Sequence, residues 1–216
     1  MIDVGARGGN ETNLGLSFGF HVITVDCQPQ EFVRLTQKFL YNQNVTLLNI
    51  CASDKGPELL TLAVADAAST INKGTLRHYG EHKAHAMEIR KFMPVVAMPL
   101  DKLLWVDPDA MNSTEQTAIS GAVLPRTVAH IPFPVCAVKV DTQGHEAAVL
   151  QGLVRTLRTF RPVVYYEFER RFGRVAWHTG RLLKSLGYTC EPDGSWGQYG
   201  APCAAVACDI TCWWNK

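Results

Sequence analysis

The sequence has no apolar run long enough to cross a membrane as a helix. Its longest stretches, such as Val135 to Val140 and Val163 to Phe168, are far shorter than the roughly 20 residues that such a span requires. Charge of one sign is also lacking, because 21 basic and 20 acidic residues leave a formal net charge of +1. The composition therefore disfavours a nucleic-acid partner held by a domain-wide basic field. No basic segment followed by an apolar stretch opens the chain, so we expect no secretory signal in these residues.

A disulfide framework is not indicated either. The seven cysteines are odd in number and lie scattered among apolar residues, which favours buried free thiols. Free thiols in turn favour a reducing compartment such as the cytoplasm. Cys203, Cys208 and Cys212 have no fourth ligand nearby, so we expect neither zinc nor a disulfide among them. His78, His82 and His85 share a helical spacing suited to metal, but Gly80 and polar neighbours indicate a solvated stretch.

The order of apolar and periodic segments predicts the fold class. With 216 residues and 47% hydrophobic content, the chain can form one sizeable core, and we expect a single domain over 1–216. Strand-like runs alternate with helix-like segments, which predicts an α/β fold with a largely parallel sheet. We interpret the proline-containing stretch at about 107–134 as an insertion. We interpret 53–63, a turn followed by an extended run, as an excursion from the alternating strand–helix pattern and not as a crossover helix.

The stretch "MIDVGARGG" brings a glycine-rich turn directly after the first strand-like run. In open α/β sheets ligands bind beyond the carboxyl ends of strands, and glycines let the backbone approach them. The next predicted strand, "VITVD", ends in Asp26, about 20 residues further on, where an acid can accept both ribose hydroxyls. The spacing is G-x-x-G-G and not the G-x-G-x-x-G of dinucleotide sites, which favours S-adenosylmethionine. A turn without ligand, and Asp26 as a helix cap ahead of Pro29, are the alternative interpretations.

A second motif, "AVKVDTQGHEAAVLQGL", places Asp141 at the end of a strand and Gly144, His145 and Glu146 at the start of a helix. Here the sequence resembles the FkbM-type methyltransferases, whose pattern is a strand, an Asp and a short x-x-Gly-x-Glu turn into a helix. The resemblance extends over nearly the whole chain. It is carried by "IDVGARGGNET", "VITVDCQPQEF", "NICASDKGPELL", "MPLDKLL" and "FRPVVYYEFE".

The resemblance implies a Rossmann-like class I methyltransferase fold, with a seven-stranded, mostly parallel sheet, an antiparallel last strand and helices on both faces. It implies S-adenosyl-L-methionine as cofactor and O-methylation of a hydroxyl on a sugar or secondary metabolite. Asp26 would bind the ribose and Asp141 would lie near the transferring methyl. The remaining cofactor residues implied are Asp3, Gly5 and Gly9 on the methionine side, and Ser53 and Asp54 at the adenine.

Three residues are candidates for the base that a hydroxyl acceptor needs, because each is expected near the carboxyl end of a strand: Asp141, His145 and Glu167. We rank Asp141 first for proximity and His145 second for its near-neutral intrinsic pKa. The alternative for His145 is an exposed residue of the first helical turn. Glu146 is expected to stabilise the helix N-terminus, and Lys139 to pair with a carboxylate.

The sequence departs from the family pattern at two charged positions and at its start. Arg7 stands where Asn is frequent and Gln143 where an acid is usual, and both changes oppose negative charge beside a cationic cofactor. Relatives have helices ahead of the first strand, so we expect a truncated domain, or a site covered by the insertion or by a second copy in a homodimer. Two other functions stay open: a nucleic-acid methyltransferase on the same fold, and a catalytically degenerate interaction module.

Overall fold

The computed structural model describes residues 1–65, 69–71, 89–105, 134–169, 174–192 and 207–215. The strands are β1 (Ile2–Val4), β2 (Val22–Val25), β3 (Val45–Leu48), β4 (Cys51–Ala52), β5 (Glu58–Val64), β6 (Lys91–Met98), β7 (Ala137–Val140), β8 (Val163–Glu169), β9 (Tyr188–Pro192) and β10 (Ala207–Trp214). The helices are α1 (Asn10–Ser17), α2 (Pro29–Phe39), α3 (Leu100–Leu104), α4 (Glu146–Gln151), α5 (Val154–Phe160) and α6 (Arg174–Ser185). The proposed insertion, apart from its last residue, and the residues His78, His82, His85 and Cys203 lie outside the described residues.

Seven strands form one sheet in the order β3-β2-β1-β7-β8-β10-β9. Strand β10 runs antiparallel to both of its neighbours, and the other pairings are parallel. This arrangement confirms the predicted Rossmann-like α/β fold. The chain order reverses between β1 and β7, which makes their carboxyl ends the switch point where ligands bind in such sheets.

The central strands are buried on both faces, as the strands of parallel sheets are. All residues of β1 and β2 are buried. The helix that begins at Glu146 ends at Gln151, and α5 follows as a separate helix, whose start is capped by the carboxylate of Asp101 through the backbone N–H groups of Arg155 and Thr156. No helix in the described ranges is long and apolar enough to span a bilayer.

A second, three-stranded sheet in the order β4-β6-β5 carries the excursion of 53–63. Strand β5 pairs antiparallel with β6, so this segment contains no crossover helix, as predicted. The sequence did not predict β6. Pro94 lies inside it, opposite Thr61, and a proline within an apolar run argues against a central strand.

The expectation of free thiols is wrong at Cys208, which is disulfide-bonded, and at Cys190 and Cys212, which form a disulfide with each other. Cys190 and Cys212 are direct partners in the β9–β10 register, with Cα atoms 4.0 Å apart. The antiparallel register decides this pairing, and the 22-residue separation in sequence gives no hint of it. Cys27, Cys51 and Cys136 are free thiols.

Candidate active site

A cleft of about 790 Å³, open mouth included, lies at the carboxyl ends of β1, β2 and β7. Its charged and polar lining residues include Arg7, Asp26, Asp141, Gln143 and His145. Apolar side chains of β4 and its surroundings, such as Ile50, Cys51 and Leu62, form another part of the wall.

The glycine turn approaches two parts of the fold closely. Gly5 has a φ of 76°, and a Cβ there would lie 1.8 Å from the carbonyl oxygen of Asp141. Gly9 has a φ of 73°, and a Cβ there would lie 2.6 Å from the ring of Phe39 on α2. Gly5 therefore lets the ends of β1 and β7 meet at the cleft, whereas Gly9 lets the turn pack on α2.

Asp26 lies on the cleft wall with only 8% of its surface exposed. Its carboxylate accepts the backbone N–H groups of Arg7 and Gln28, each at 2.8 Å. Burial raises the pKa of Asp26 to about 6, and these two hydrogen bonds oppose the rise. The cap position of α2 is Gln28, so Asp26 joins the glycine turn to the start of α2 without being the cap residue. Each carboxylate oxygen can still accept another hydrogen bond.

Asp3 is fully buried, and the structure does not place it among the residues that line the cleft. Its Oδ2 accepts the hydroxyl hydrogen of Thr12 at 2.7 Å, and its Oδ1 lies 3.5 Å from Nζ of Lys139. Lys139 also donates to the carbonyl oxygen of Gly5 and lies 3.8 Å from Oδ2 of Asp141. Burial lowers the pKa of Lys139, but Asp3 and Asp141 outweigh it and hold that pKa above its ordinary value. The expected pairing of Lys139 with a carboxylate is confirmed.

Glu146 holds the turn between β7 and α4. Its Oε1 accepts the backbone N–H groups of Thr142 and Gly144, both at 3.0 Å. Burial raises the pKa of Glu146, and these hydrogen bonds oppose the rise. Glu146 thus stabilises the start of α4, as the sequence predicts.

Gln143 bridges two acidic side chains beside the cleft. Its Nε2 donates to Oδ1 of Asp141 at 3.0 Å and to Oε2 of Glu167 at 2.8 Å. Burial, followed by the negative charge of Asp141, raises the pKa of Glu167 to about 8. The sequence singled out Gln143 only as a departure from a pattern. This bridging role depends on the pairing of β7 with β8, and no local sequence pattern predicts the role.

His145 lies on the other side of the turn. It is half-buried, so the alternative of an exposed residue is wrong, and its Nε2 lies 3.3 Å from Oγ of Ser53. Burial lowers the pKa of His145, and the nearby charge of Asp54 opposes this. The structure therefore brings His145 together with Ser53 and Asp54, whereas it brings Asp141 together with Glu167.

Residues 69–71, which follow β5, also line the cleft. The hydroxyl of Ser69 donates to Oε1 of Gln28 at 2.9 Å, and the hydroxyl of Thr70 donates to the carbonyl oxygen of Gln143 at 3.1 Å. These hydrogen bonds attach the segment after β5 to both sides of the cleft. Local sequence patterns do not predict this contribution because it depends on the position of the second sheet.

The part of the chain that the structure describes contains no candidate metal site. No group of three or more His, Cys, Asp or Glu side chains there could hold a metal ion. The residues that line the cleft instead include the buried acid Asp26, the carboxyl group of Asp141 and part of the glycine turn.

Comparisons with known proteins give a family match over part of the chain and a fold for the whole. A family model, the methyltransferase FkbM domain, matches residues 115–190. Methyltransferase FkbM from Methylobacillus flagellatus KT has a similar structure, with a TM-score of 0.54 and 13% sequence identity, over 99% of this chain and 43% of that one. The chain thus spans less than half the length of that protein. SMU.1697c from Streptococcus mutans, in complex with SAH, has a TM-score of 0.46 and 12% identity over 98% and 86% of the two chains. None of the curated proteins matches the sequence.

Proposed function

We propose that this chain, an FkbM-type methyltransferase by its motifs, its matched segment and its fold, uses S-adenosylmethionine to methylate a hydroxyl of a sugar or secondary metabolite. One observation carries the proposal. A single cleft at the switch point of the sheet joins the close glycine turn, the buried acid Asp26 and the carboxyl end of β7 with Asp141.

The residues present suit this cofactor. Asp26 retains acceptor capacity for ribose hydroxyls, because its two oxygens each accept one N–H group. The apolar side chains of Ile50 and Leu62 offer a surface for a flat base. Asp141, joined to Glu167 through Gln143, places a carboxyl group at the β7 end of the cleft, where a sulfonium would be stabilised. When bound, the cofactor supplies an electrophilic methyl group.

The chain must then orient the acceptor and take its proton. Alignment of the acceptor oxygen contributes up to about 7 to 11 kcal/mol in such reactions. A positioned base adds roughly 10² to 10⁴ in rate. We assign the base to Glu167, with Asp141 as its neighbour across the Gln143 amide, since Asp141 already lies next to the ammonium of Lys139. His145 lies beside Ser53 and Asp54, which suits the adenine end better.

Calorimetric titration with S-adenosylmethionine and S-adenosylhomocysteine tests the cofactor site. We expect one-to-one binding that Asp26→Asn weakens at least tenfold. The matched control is Asp101→Asn, because Asp101 also accepts two backbone N–H groups but lies outside the cleft. It should lower the melting temperature and leave the dissociation constant unchanged. Folded protein that binds neither compound would refute the enzyme and favour the interaction module.

The acceptor class needs a separate experiment. The chain is incubated with S-adenosylmethionine and matched panels of glycosides, polyols and amines, and the products are analysed by mass. Addition of one methyl group to an oxygen in the hydroxyl panel supports O-methylation. Methylation confined to amines, or to an RNA included in the panel, would replace the proposed substrate class.

A further inference from the structure

The side-chain amide of Gln143 holds two carboxyl groups in one arrangement. One carboxyl, Asp141, has a polar neighbour at each oxygen: Oδ1 accepts from Gln143 at 3.0 Å, and Oδ2 lies 3.8 Å from Nζ of Lys139. The other, Glu167, accepts from the same amide nitrogen at 2.8 Å. An amide nitrogen has two hydrogens, so one Gln143 side chain suffices for both contacts.

Two carboxyl groups this close do not both ionise easily, and they tend to share one proton. The ammonium of Lys139 lies beside Asp141, whereas Glu167 has acidic neighbours, so the proton of the pair resides on Glu167. The other charged groups that act on Glu167 are Glu146 at the start of α4 and Asp209, its register partner on β10. Both are acidic and oppose its ionisation. In agreement, burial and then the charge of Asp141 raise the pKa of Glu167 to about 8.

We propose that Asp141, Gln143 and Glu167 form a carboxyl pair that keeps one proton in the free protein and releases it when the positive charge of the sulfonium is bound beside Asp141. This inference rests on the proposed function and deepens it. The charge of the cofactor would itself convert Glu167 into a base. The demethylated cofactor is neutral and would leave the proton on Glu167.

The proton and charge balance of the transfer agrees with this cycle. Ionised Glu167 accepts the hydroxyl proton of the acceptor while the new O–C bond forms and the S–C bond breaks. The sulfonium charge and the carboxylate charge disappear together. Glu167 is left protonated, which is the state expected beside the neutral sulfide.

Gln143 acts here as a positioning residue. Its backbone has a φ of 55°, and its carbonyl oxygen accepts from the buried Thr70. The next residue, Gly144, donates its N–H to Glu146. These contacts fix the backbone from which the amide reaches both acids. An asparagine tolerates the left-handed region but is one methylene shorter, so it should not reach both.

Proton release on binding can be measured without an acceptor. The full chain is titrated with S-adenosylmethionine and with S-adenosylhomocysteine at neutral pH, in phosphate and in Tris, whose ionisation enthalpies differ. We expect release of close to one proton with S-adenosylmethionine and almost none with S-adenosylhomocysteine. Glu167→Gln should abolish the release, and Gln143→Asn should reduce it by more than half. Gln151→Asn on α4 is the control and should release as much as the wild type.

The outcomes separate the two proposals. Binding of both compounds without a difference in proton release overturns this inference and leaves the cofactor assignment standing. Release that persists in Glu167→Gln overturns it as well. No binding of either compound overturns both. A ¹³C carboxyl titration of Glu167 in the free protein is a second readout, and a midpoint in the ordinary glutamate range would contradict the shared proton.

Discussion

The centre and the outer end of the seven-stranded sheet are stabilised by different means. At the centre, β1 and β7 bury the ionisable groups Asp3 and Lys139. At the outer end, β9 and β10 are joined by the Cys190–Cys212 disulfide and by packing of Trp214 against Tyr188. Buried ion pairs contribute little net stability, whereas a disulfide and aromatic contacts contribute directly. The outer end therefore contributes directly to the stability of the fold, whereas the buried ion pair at the centre adds little to it.

The largest effect should follow from Lys139→Met, which leaves the buried carboxylate of Asp3 without its cation. We expect a loss of about 3 to 5 kcal/mol in the free energy of unfolding, measured by urea denaturation. The double variant Lys139→Met with Asp3→Asn should recover part of the loss, because it removes the uncompensated charge. If the double variant is no more stable than the single one, lost packing and not charge explains the effect.

The next effect concerns the outer end. Replacing both Cys190 and Cys212 by alanine removes a cross-link between residues with a sequence separation of 22. The chain-entropy relation gives a loss of about 3 kcal/mol for a loop of this size. Cys136→Ala, at an exposed free thiol, is the control and should change little. Affinity for S-adenosylhomocysteine should be unaffected, and a marked loss of it would show that the two regions are coupled.

A smaller effect should depend on pH. The pKa of Glu167 is raised in the folded chain to about 8, so the folded state binds the proton more tightly than the unfolded state does. Its contribution to stability is present below the ordinary glutamate pKa and is lost as pH rises through about 8. The stability difference between wild type and Glu167→Gln should therefore shift in favour of the variant from mildly acidic to alkaline pH in urea titrations. A difference independent of pH would place the folded pKa near its ordinary value.

The smallest effect is expected at the exposed Arg161, whose guanidinium lies 4.6 Å from the ring centroid of Trp214. Arg161→Ala should cost about 0.5 to 1 kcal/mol, as exposed cation–π contacts do. Arg161 has a φ of 51°, a left-handed backbone conformation that glycine adopts more easily than alanine does. Arg161→Gly therefore removes the same contact without straining the backbone. Thermal unfolding should show the glycine variant to be the more stable of the two. The reverse order would mean that the alanine backbone is not strained there.

Much of the fold followed from local patterns. The apolar runs at β1, β2 and β7 predicted buried parallel strands, and the glycine turn with Asp26 pointed to the end of the sheet where the cleft lies. Strand β6 was missed because Pro94 contradicts the local preference of its neighbours. The disulfide was missed because strand register, and not sequence spacing, brings its cysteines together.

The sequence by itself determined the class of fold, the glycine turn and the acids at the ends of strands, because these depend on periodicity and on residues close along the chain. Only the tertiary structure decided which acids meet. It buried Asp3 against Lys139, placed His145 beside Ser53, and joined Asp141 to Glu167 through Gln143. The reason is physical: contacts across parallel strands depend on how residues far apart in sequence are aligned, and local preferences carry little of that information.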